Sequence, residues 1–365
     1  MRVMITGGGT GGHTSPAVAI VEELRRRDPQ LMAQWVGKAG AIEERAARQA
    51  EVPFRGVPAA GWPRARSPRR LWVALVMLVG YIKAGMLIRA FRPQVVIGVG
   101  GYVSLPLLLA AQRRGIPTVL HEQNKRLGMA NRMLAGRCAK LYLSYPDTLG
   151  AYPKERAEVV GNPVRPGFVT PPTRGEARER LGILGEVPVV LVVGGSQGAK
   201  SINDAMASAV HMFRAGEVHF LWMTGKSGEE AAQAAAARAE VKVEVFPFID
   251  DMVSACAAAD LIVSRAGASS SAEIAALGKA SILIPYPFAT DNHQEQNGRA
   301  FEAAGAAVVL LDKDCSGVTL SDTIRALLED APRREAMAAA AKQLAKPLAA
   351  EHVAEGVMSL LFTRS

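Results

Sequence analysis

The chain has 365 residues, 49% of them apolar and 21% charged, which is ordinary for a soluble globular protein and long enough for two domains with separate cores. Three cysteines, Cys138, Cys256 and Cys315, lie far apart without metal or redox spacing, a sparse and odd count that suits a reducing compartment. The net charge is +9 but aromatics are only 5%, so a base-stacking nucleic-acid surface is not expected; no signal peptide is expected either, because Met1 leads straight into a strand.

Arg2 to Thr6 reads as a short apolar strand, Gly7 to His13 (GGGTGGH) as a glycine-rich turn, and about Pro16 to Arg27 as an apolar helix. Gly7, Gly9 and Gly12 satisfy G-x-G-x-x-G between strand and helix, a pattern that cradles a dinucleotide diphosphate. A ribose-binding acid should then lie about 20 residues further on, at the end of the second strand. Ala33 to Gly37 is that strand, and Gly37-Lys38-Ala39-Gly40 ends it without an acid, so nicotinamide binding is not expected.

From Val52 to His121 there is no Asp or Glu, while Arg55, Arg64, Arg66, Arg69, Arg70, Lys83, Arg89, Arg92, Arg113 and Arg114 all fall in this run. An anionic membrane, an anionic substrate or nucleic acid are the candidate partners of such a stretch. It encloses Leu71 to Ile82, a helix apolar nearly all round that includes Leu71, Trp72 and Leu75. That helix is shorter than the roughly 20 residues that cross a bilayer. With Arg66, Arg69 and Arg70 beside it, partial insertion at an anionic surface is expected, each basic residue there contributing roughly 1 kcal/mol. A buried core helix is the plainer reading of the apolar segment alone.

Val95 to Val99 is another strand, and Gly98-Val99-Gly100-Gly101-Tyr102 opens a second glycine-rich turn. Two such turns in one half suit a bulky, anionic substrate. Thr118 to Leu120 ends in His121-Glu122-Gln123-Asn124, which is either solvated loop or a site. Leu141 to Ser144 and Val159-Val160 close this half, and Gly161-Asn162-Pro163-Val164-Arg165-Pro166 reads as a hinge. A second set of units begins with the strand Val189 to Val193. Its glycine-rich turn, Gly194 to Ala199, places Ser196 at a helix start, an anion site in principle.

His219 to Met223, Val243 to Phe246 and Leu261 to Val263 continue that sheet, and the apolar residues of Phe248 to Met252 can wall a base pocket. Ala266, Gly267 and Ala268 make a turn with little bulk. Ser269, Ser270 and Ser271 start a helix whose free N–H groups favour a phosphate. Glu273, within the first turn or so, can accept two hydrogen bonds from a ribose diol. After the strand Ser281 to Ile284, Asp291 looks like an N-cap, and His293, Gln294 and Asn297 share a helical face suited to sugar hydroxyls. Asp312-Lys313-Asp314 reads as surface loop rather than a metal–nucleotide site, and the tail from about Val318 is helical. The fold class is therefore α/β: two Rossmann-like, doubly wound parallel-sheet halves, with a ligand expected in the cleft between them.

Seven ordered motifs are GGGTGGH at Gly7–His13, GVGGYVS at Gly98–Ser104, HEQN at His121–Asn124, GNPVR at Gly161–Arg165, GGSQGA at Gly194–Ala199, the Ala268–Glu273 helix start and HQEQN at His293–Asn297. Together they resemble the bacterial peptidoglycan UDP-N-acetylglucosamine:lipid I N-acetylglucosaminyltransferases, the MurG family, of GT-B fold. The resemblance implies inverting transfer of N-acetylglucosamine (GlcNAc) from UDP-GlcNAc to the muramyl 4-hydroxyl of undecaprenyl-pyrophosphoryl-MurNAc-pentapeptide (lipid I), without a metal or other cofactor. It places the enzyme peripherally on the cytoplasmic face of the inner membrane, with other cell-wall enzymes as candidate partners and no nucleic acid.

Carried over by position, the resemblance puts donor contacts on Thr10, Gly11, Gly12, Asn124, Arg165, Ser196, Ile249, Ala268, Ser269, Ser270, Ser271, Ala272, Glu273 and Gln294, and the acceptor diphosphate near Gly100, Gly101 and Tyr102. The general base is assigned to His13, with Glu122 or a water held by Asn124 as the other choices and a helix-capping histidine as the plainer reading. Domains are expected at residues 1–163 for acceptor and membrane, 164–345 for the donor, and 346–365 as a helix returning to the first. A GT-B-like UDP-GlcNAc 2-epimerase, a nicotinamide oxidoreductase and a non-catalytic lipid-binding module are the rivals.

Overall fold

The structure is a computed structural model, and it describes residues 1–9, 11–62, 68–195, 197–289 and 292–362. Two compact units divide the chain: Met1–Pro166 with Lys346–Ser365, and Gly167–Ala345.

In the first unit the elements run β1 (Arg2–Thr6), α1 (Gly11–Arg27), β2 (Met32–Gly37), α2 (Ile42–Gln49), β3 (Phe54–Gly56), α3 (Arg69–Phe91), β4 (Val95–Gly98), α4 (Leu105–Arg113), β5 (Thr118–Glu122), α5 (Met129–Leu134), β6 (Lys140–Leu143) and β7 (Ala157–Val159). All seven strands are parallel, in the order β3-β2-β1-β4-β5-β6-β7. Strands such as β4 are buried along their whole length, because helices cover both faces of a parallel sheet and both faces must be apolar. Alternate residues accordingly feed two cores. Val3, Ile5, Ile97 and Val119 pack on one side, and Met4, Val96, Leu120 and Leu141 on the other.

α1 starts at Gly11, five residues before Pro16, so the last glycines of the turn form its first turn. α3 is also longer than its apolar segment predicts. At 23 residues it is about 35 Å long and meets the length and composition of a membrane span. Its packing is one-sided. Val73, Gly80, Ala84 and Ile88 are buried, Ala84 and Ile88 within the second core, and Gly80 lies against the Pro58 carbonyl. Leu71, Trp72, Leu75, Leu78, Val79, Ile82 and Met86 form an exposed apolar stripe, with Leu71 74% and Trp72 55% exposed. The segment is therefore not the core helix of the plainer reading.

The second unit contains α6 (Pro166–Val169), which begins at the division, then α7 (Arg174–Arg180), β8 (Val189–Val193), α8 (Lys200–Ala209), β9 (His219–Met223), α9 (Glu229–Ala236), β10 (Lys242–Phe246), α10 (Met252–Ala258), β11 (Leu261–Ser264), α11 (Ala268–Leu277), β12 (Ser281–Leu283), α12 (His293–Ala303), β13 (Ala307–Val309), α13 (Gly317–Glu329) and α14 (Ala331–Leu344). Its six parallel strands follow the order β10-β9-β8-β11-β12-β13. The last helix, α15 (Ala349–Phe362), belongs to the first unit, where Val353, Ala354 and Val357 join the core shared with α1 and β1. Arg27 on α1 pairs with Glu351 at 2.8 Å and Glu355 at 3.2 Å.

Each sheet reverses its strand order once, between β1 and β4 in the first and between β8 and β11 in the second. Such a switch point splays apart the turns leaving two adjacent strands, and α/β folds bind ligands in the gap. The glycine-rich or small-residue turns follow these four strands, so the topology gathers them in pairs.

Candidate active site

At the first switch point the two turns touch through backbone. Gly8 N donates to Gly100 O at 3.3 Å. Gly101 has φ +80°, and a Cβ there would lie 2.0 Å from Gly8 O, so only glycine fits. Beneath the turn lies Glu43 on α2, fully buried, whose Oε1 accepts from Gly9 N at 2.6 Å. Glu43 is the acid that the first turn uses. It comes from the helix after β2 rather than from the strand's end, so it supports the turn from behind. Tyr102 faces Gly9 and Gly61. Thr10, Arg66 and the His13 side chain lie outside the described residues; the His13 backbone is in the first turn of α1.

The polar tetrad that ends β5 and runs on to Asn124 is an organised network rather than solvated loop. His121, Glu122 and Gln123 are buried. Glu122 Oε1 accepts from Asn124 N and Asn124 Nδ2, both at 3.1 Å, and Oε2 accepts from Gly128 N at 2.8 Å and Asn131 Nδ2 at 2.9 Å. Burial raises its carboxyl pKa, against the pull of those donors. With both oxygens engaged by the protein, Glu122 is built to hold the 124–128 loop and the Asn124 carboxamide. That geometry does not suit the alternative of Glu122 as base.

His121 Nε2 lies 2.9 Å from Gly161 O, a pure acceptor, so Nε2 carries the proton and Nδ1 accepts from Gln123 Nε2 at 3.1 Å. Burial holds the imidazole neutral, with its pKa down to about 4. Arg165, next to the last residue of the Met1–Pro166 stretch, lies near Glu22 of α1. Burial raises the Glu22 carboxyl, and the charges of Arg165 and Arg25 draw it back down.

At the second switch point the turn after β8 is pressed on the end of β9. Gly198 has φ +76°, and a Cβ there would sit 2.1 Å from Thr224 O. Ser196 in that turn lies outside the described residues. α11 begins at Ala268 with Gly267, which has no side chain, at its N-cap position, so the positive end of the helix dipole follows the turn after β11 directly. Ser269 and Ser271 point into the protein and are buried, whereas Ala268, Ser270, Ala272 and Glu273 are half-buried. Glu273 is the sixth residue of this helix and lies in its second turn, later than expected, because the helix starts before the serines.

Ile249 is buried just ahead of α10, whose N-cap Asp251 accepts from Ser254 N at 3.0 Å. Gln294 in the first turn of α12 uses Oε1 to accept from Tyr286 N at 2.9 Å. Asn297 is buried and donates to Ala266 O at 3.2 Å, so it ties α12 to the turn before α11 rather than facing a sugar. Asn292 holds the N-cap position of α12, and Asp291 lies outside the described residues.

Lys313 and Asp314 are exposed, as a surface loop requires, but Asp312 turns inward. Asp312 pairs with Arg265 at the end of β11 and accepts from Ser201 Oγ at 2.5 Å. Neither Glu43 nor Arg265 was legible as a site residue, because each acts on a turn far away in sequence.

Comparison with known proteins decides what the paired turns belong to. Residues 3–143 match the glycosyltransferase family 28 N-terminal domain, and residues 189–353 match its C-terminal domain. The UDP-N-acetylglucosamine--N-acetylmuramyl-(pentapeptide) pyrophosphoryl-undecaprenol N-acetylglucosamine transferase of Desulforudis audaxviator is 40% identical over 368 residues, covering 99% of this chain and 98% of the relative. The chain belongs to glycosyltransferase family 28. Among solved structures, Acinetobacter baumannii MurG aligns with a TM-score of 0.74 at 28% identity, over 98% of this chain and 99% of its own. The Neisseria meningitidis UDP-GlcNAc 2-epimerase aligns with a TM-score of 0.65 at 14% identity, over 98% and 100%, and shares the fold alone. This family 28 chain thus has two parallel-sheet α/β domains of the GT-B fold, and it is MurG rather than the epimerase that it resembles in sequence as well as in fold.

Proposed function

We propose that the protein is an inverting N-acetylglucosaminyltransferase, moving GlcNAc from UDP-GlcNAc to the 4-hydroxyl of the muramyl sugar in lipid I. The observation that carries this is the full-length likeness to a relative named for that transfer, joined to phosphate-type turns at both switch points. In the displacement, the bond from the anomeric carbon to the diphosphate oxygen breaks and its electron pair leaves with UDP. The muramyl oxygen forms the new bond from the opposite face, and its proton passes to a base.

His13, at the start of α1, is the assigned base, since imidazole titrates near neutral pH. Glu122 orients Asn124 beside it in the role that its four donors support. On the second unit, the start of α11 and the turn carrying Ser196 are assigned to the leaving diphosphate; Arg165, on the first unit, is assigned a charge-assisted bond to the donor. Glu273 holds the ribose diol, the backbone at Ile249 meets uracil, and Gln294 reads GlcNAc hydroxyls. Gly100, Gly101 and Tyr102 receive the acceptor diphosphate. No metal is assigned a role in charge stabilisation.

The exposed stripe of α3, flanked by Arg69 and Arg70, docks the enzyme on the anionic cytoplasmic face of the inner membrane, where the undecaprenyl acceptor resides. An epimerase acting on a soluble nucleotide has no need of such a stripe.

The test is transfer of labelled GlcNAc from UDP-GlcNAc to a lipid I analogue by wild type, Glu273→Ala and His13→Ala, with and without EDTA. Expected are transfer undiminished by EDTA, a donor KM raised by Glu273→Ala, and kcat lowered about 10²–10⁴-fold by His13→Ala. Consumption of UDP-GlcNAc without a lipid product would replace this reading with the epimerase.

A further inference from the structure

We propose that Arg265 is a positioning residue that sets the donor-sugar selectivity of the enzyme, acting through the Gln294 carboxamide; the inference rests on the proposed role of Gln294. Arg265 follows β11 directly, yet its side chain turns away from the adjoining α11 turn. Nη1 donates to Ile284 O at 3.2 Å and Pro285 O at 3.3 Å, where β12 runs into the loop before α12. The same nitrogen pairs with Asp312, and Nη2 donates to Ser201 Oγ at 2.9 Å. Ser201 in turn donates to Asp312 and accepts from the arginine, so the trio is satisfied internally.

The guanidinium carbon also lies 5.5 Å from the centroid of the Tyr286 ring. One largely buried cation thereby pins both carbonyls ahead of Tyr286 and the Tyr286 ring itself. The next link is the Tyr286 N–H, which holds Gln294 Oε1 at 2.9 Å. A backbone N–H can only donate, so it fixes which end of the carboxamide faces it. The NH2 end is left as the group that meets substrate.

A carboxamide locked in one orientation offers a donor where the sugar must supply an acceptor. An epimer with that hydroxyl displaced leaves a polar group unpaired, which is how hydrogen-bonding sites discriminate strongly. A carboxamide no longer held by the loop shifts as well as flips, so it stops marking one hydroxyl position and discriminates the two sugars less. Arg265 holds the loop whose Tyr286 N–H prevents the flip, and Asp312 and Ser201 hold Arg265. Lysine cannot replace its forked donors.

The test compares kcat/KM for UDP-GlcNAc with that for its 4-epimer, UDP-GalNAc, in wild type, Arg265→Lys, Asp312→Asn and Gln294→Ala, with melting midpoints recorded. Inhibition by UDP reports the nucleotide site without the sugar. Expected is a fall in the GlcNAc/GalNAc ratio of about tenfold in Arg265→Lys and Asp312→Asn, arising mainly from KM for UDP-GlcNAc. UDP inhibition should stay within about twofold, and Arg265→Lys combined with Gln294→Ala should lose no more selectivity than Gln294→Ala alone.

An unchanged ratio in folded Arg265→Lys and Asp312→Asn, with Gln294→Ala impaired, would overturn the inference. So would a parallel weakening of UDP inhibition, the mark of a merely structural role. If Gln294→Ala itself leaves the ratio unchanged, the reading of Gln294 fails first. Should Arg265→Lys fail to fold, Asp312→Asn, which keeps the side chain's shape, decides alone.

Discussion

At the scale of single residues, two buried side chains set expectations that differ in kind. His121 stays neutral in the folded protein down to about pH 4, whereas in the unfolded chain it titrates near its ordinary 6.5. A depressed histidine pKa means that the unfolded state takes up the proton first. The stability it contributes is present above pH 6.5 and drains away as pH falls towards 4. Between pH 7.5 and pH 5 this one group should cost about 2 kcal/mol of unfolding free energy. Denaturant melts at the two pH values should show that loss in wild type and much less of it in His121→Gln; equal losses would refute the assignment. Glu43 is different, since it supports a turn and its effect should appear in activity. Glu43→Ala orphans Gly9 N beside an emptied volume, so about 2–4 kcal/mol of stability and much of the transfer rate should go. Glu43→Gln keeps an acceptor of the same shape and should recover most of both. Equal damage from the two variants would show that charge, not the hydrogen bond, matters there.

At the scale of elements, the strands were legible and the partnerships were not. Val189–Val193 and Val95–Ile97 are short, continuous apolar runs followed by glycine, and a strand buried on both faces of a parallel sheet must look like that. The switch points were legible only as a prior for the fold class, because strand order is a long-range property. Gly8 meets Gly101, and Arg265 meets Asp312, across spans that no local pattern encodes. Helix α3 illustrates the limit most clearly. A helix apolar nearly all round has no strong face of its own, so its sequence could not tell core from surface; packing of Val73, Gly80 and Ala84 against the rest of the unit makes that choice. The two sides of α3 should therefore respond oppositely. Leu71→Ser and Leu75→Ser should leave unfolding free energy within about 0.5 kcal/mol. Each should weaken binding to anionic vesicles about tenfold, the loss of one buried leucine's worth of transfer energy. Gly80→Ala should do the reverse. Alanine favours a helix over glycine by roughly 1 kcal/mol, but its Cβ would lie 2.1 Å from the Pro58 carbonyl oxygen, and backbone cannot step aside cheaply. A net loss of about 1–3 kcal/mol with vesicle binding intact is the expected result of that overpacking. Stabilisation by Gly80→Ala would mean that the Pro58 approach is looser than described.

At the scale of the whole molecule, the two units differ in how the chain closes them. The second is one continuous stretch, Gly167–Ala345, whereas the first is completed only by a segment that arrives after the second has been built. Nothing in the periodicity of residues 346–365 says which unit that helix joins, and the family resemblance alone implied it. The packing explains the choice. Val353, Ala354 and Val357 are fully buried against α1 and β1, and Gly356 lies against the Tyr142 hydroxyl, where a side chain would collide. The ion pairs from Arg27 to Glu351 and Glu355 involve half-exposed carboxylates, so screening leaves them worth well under about 1 kcal/mol each. The buried valines decide the energetics, at about 1.5–3 kcal/mol apiece, and with their neighbours they approach the 5–15 kcal/mol that a typical domain has in total. Ending the chain at Ala345 should therefore abolish the cooperative unfolding of the first unit while leaving that of Gly167–Ala345 in place. Calorimetry with limited proteolysis measures this directly: cleavage should concentrate within residues 1–166, and the transition that remains should match that of the isolated 167–345 segment. Arg27→Ala, by contrast, should shift the first transition only slightly. If the truncated chain melted like the full one, α15 would be an appendage, and the first unit would have to hold its core without the helix that covers Tyr142.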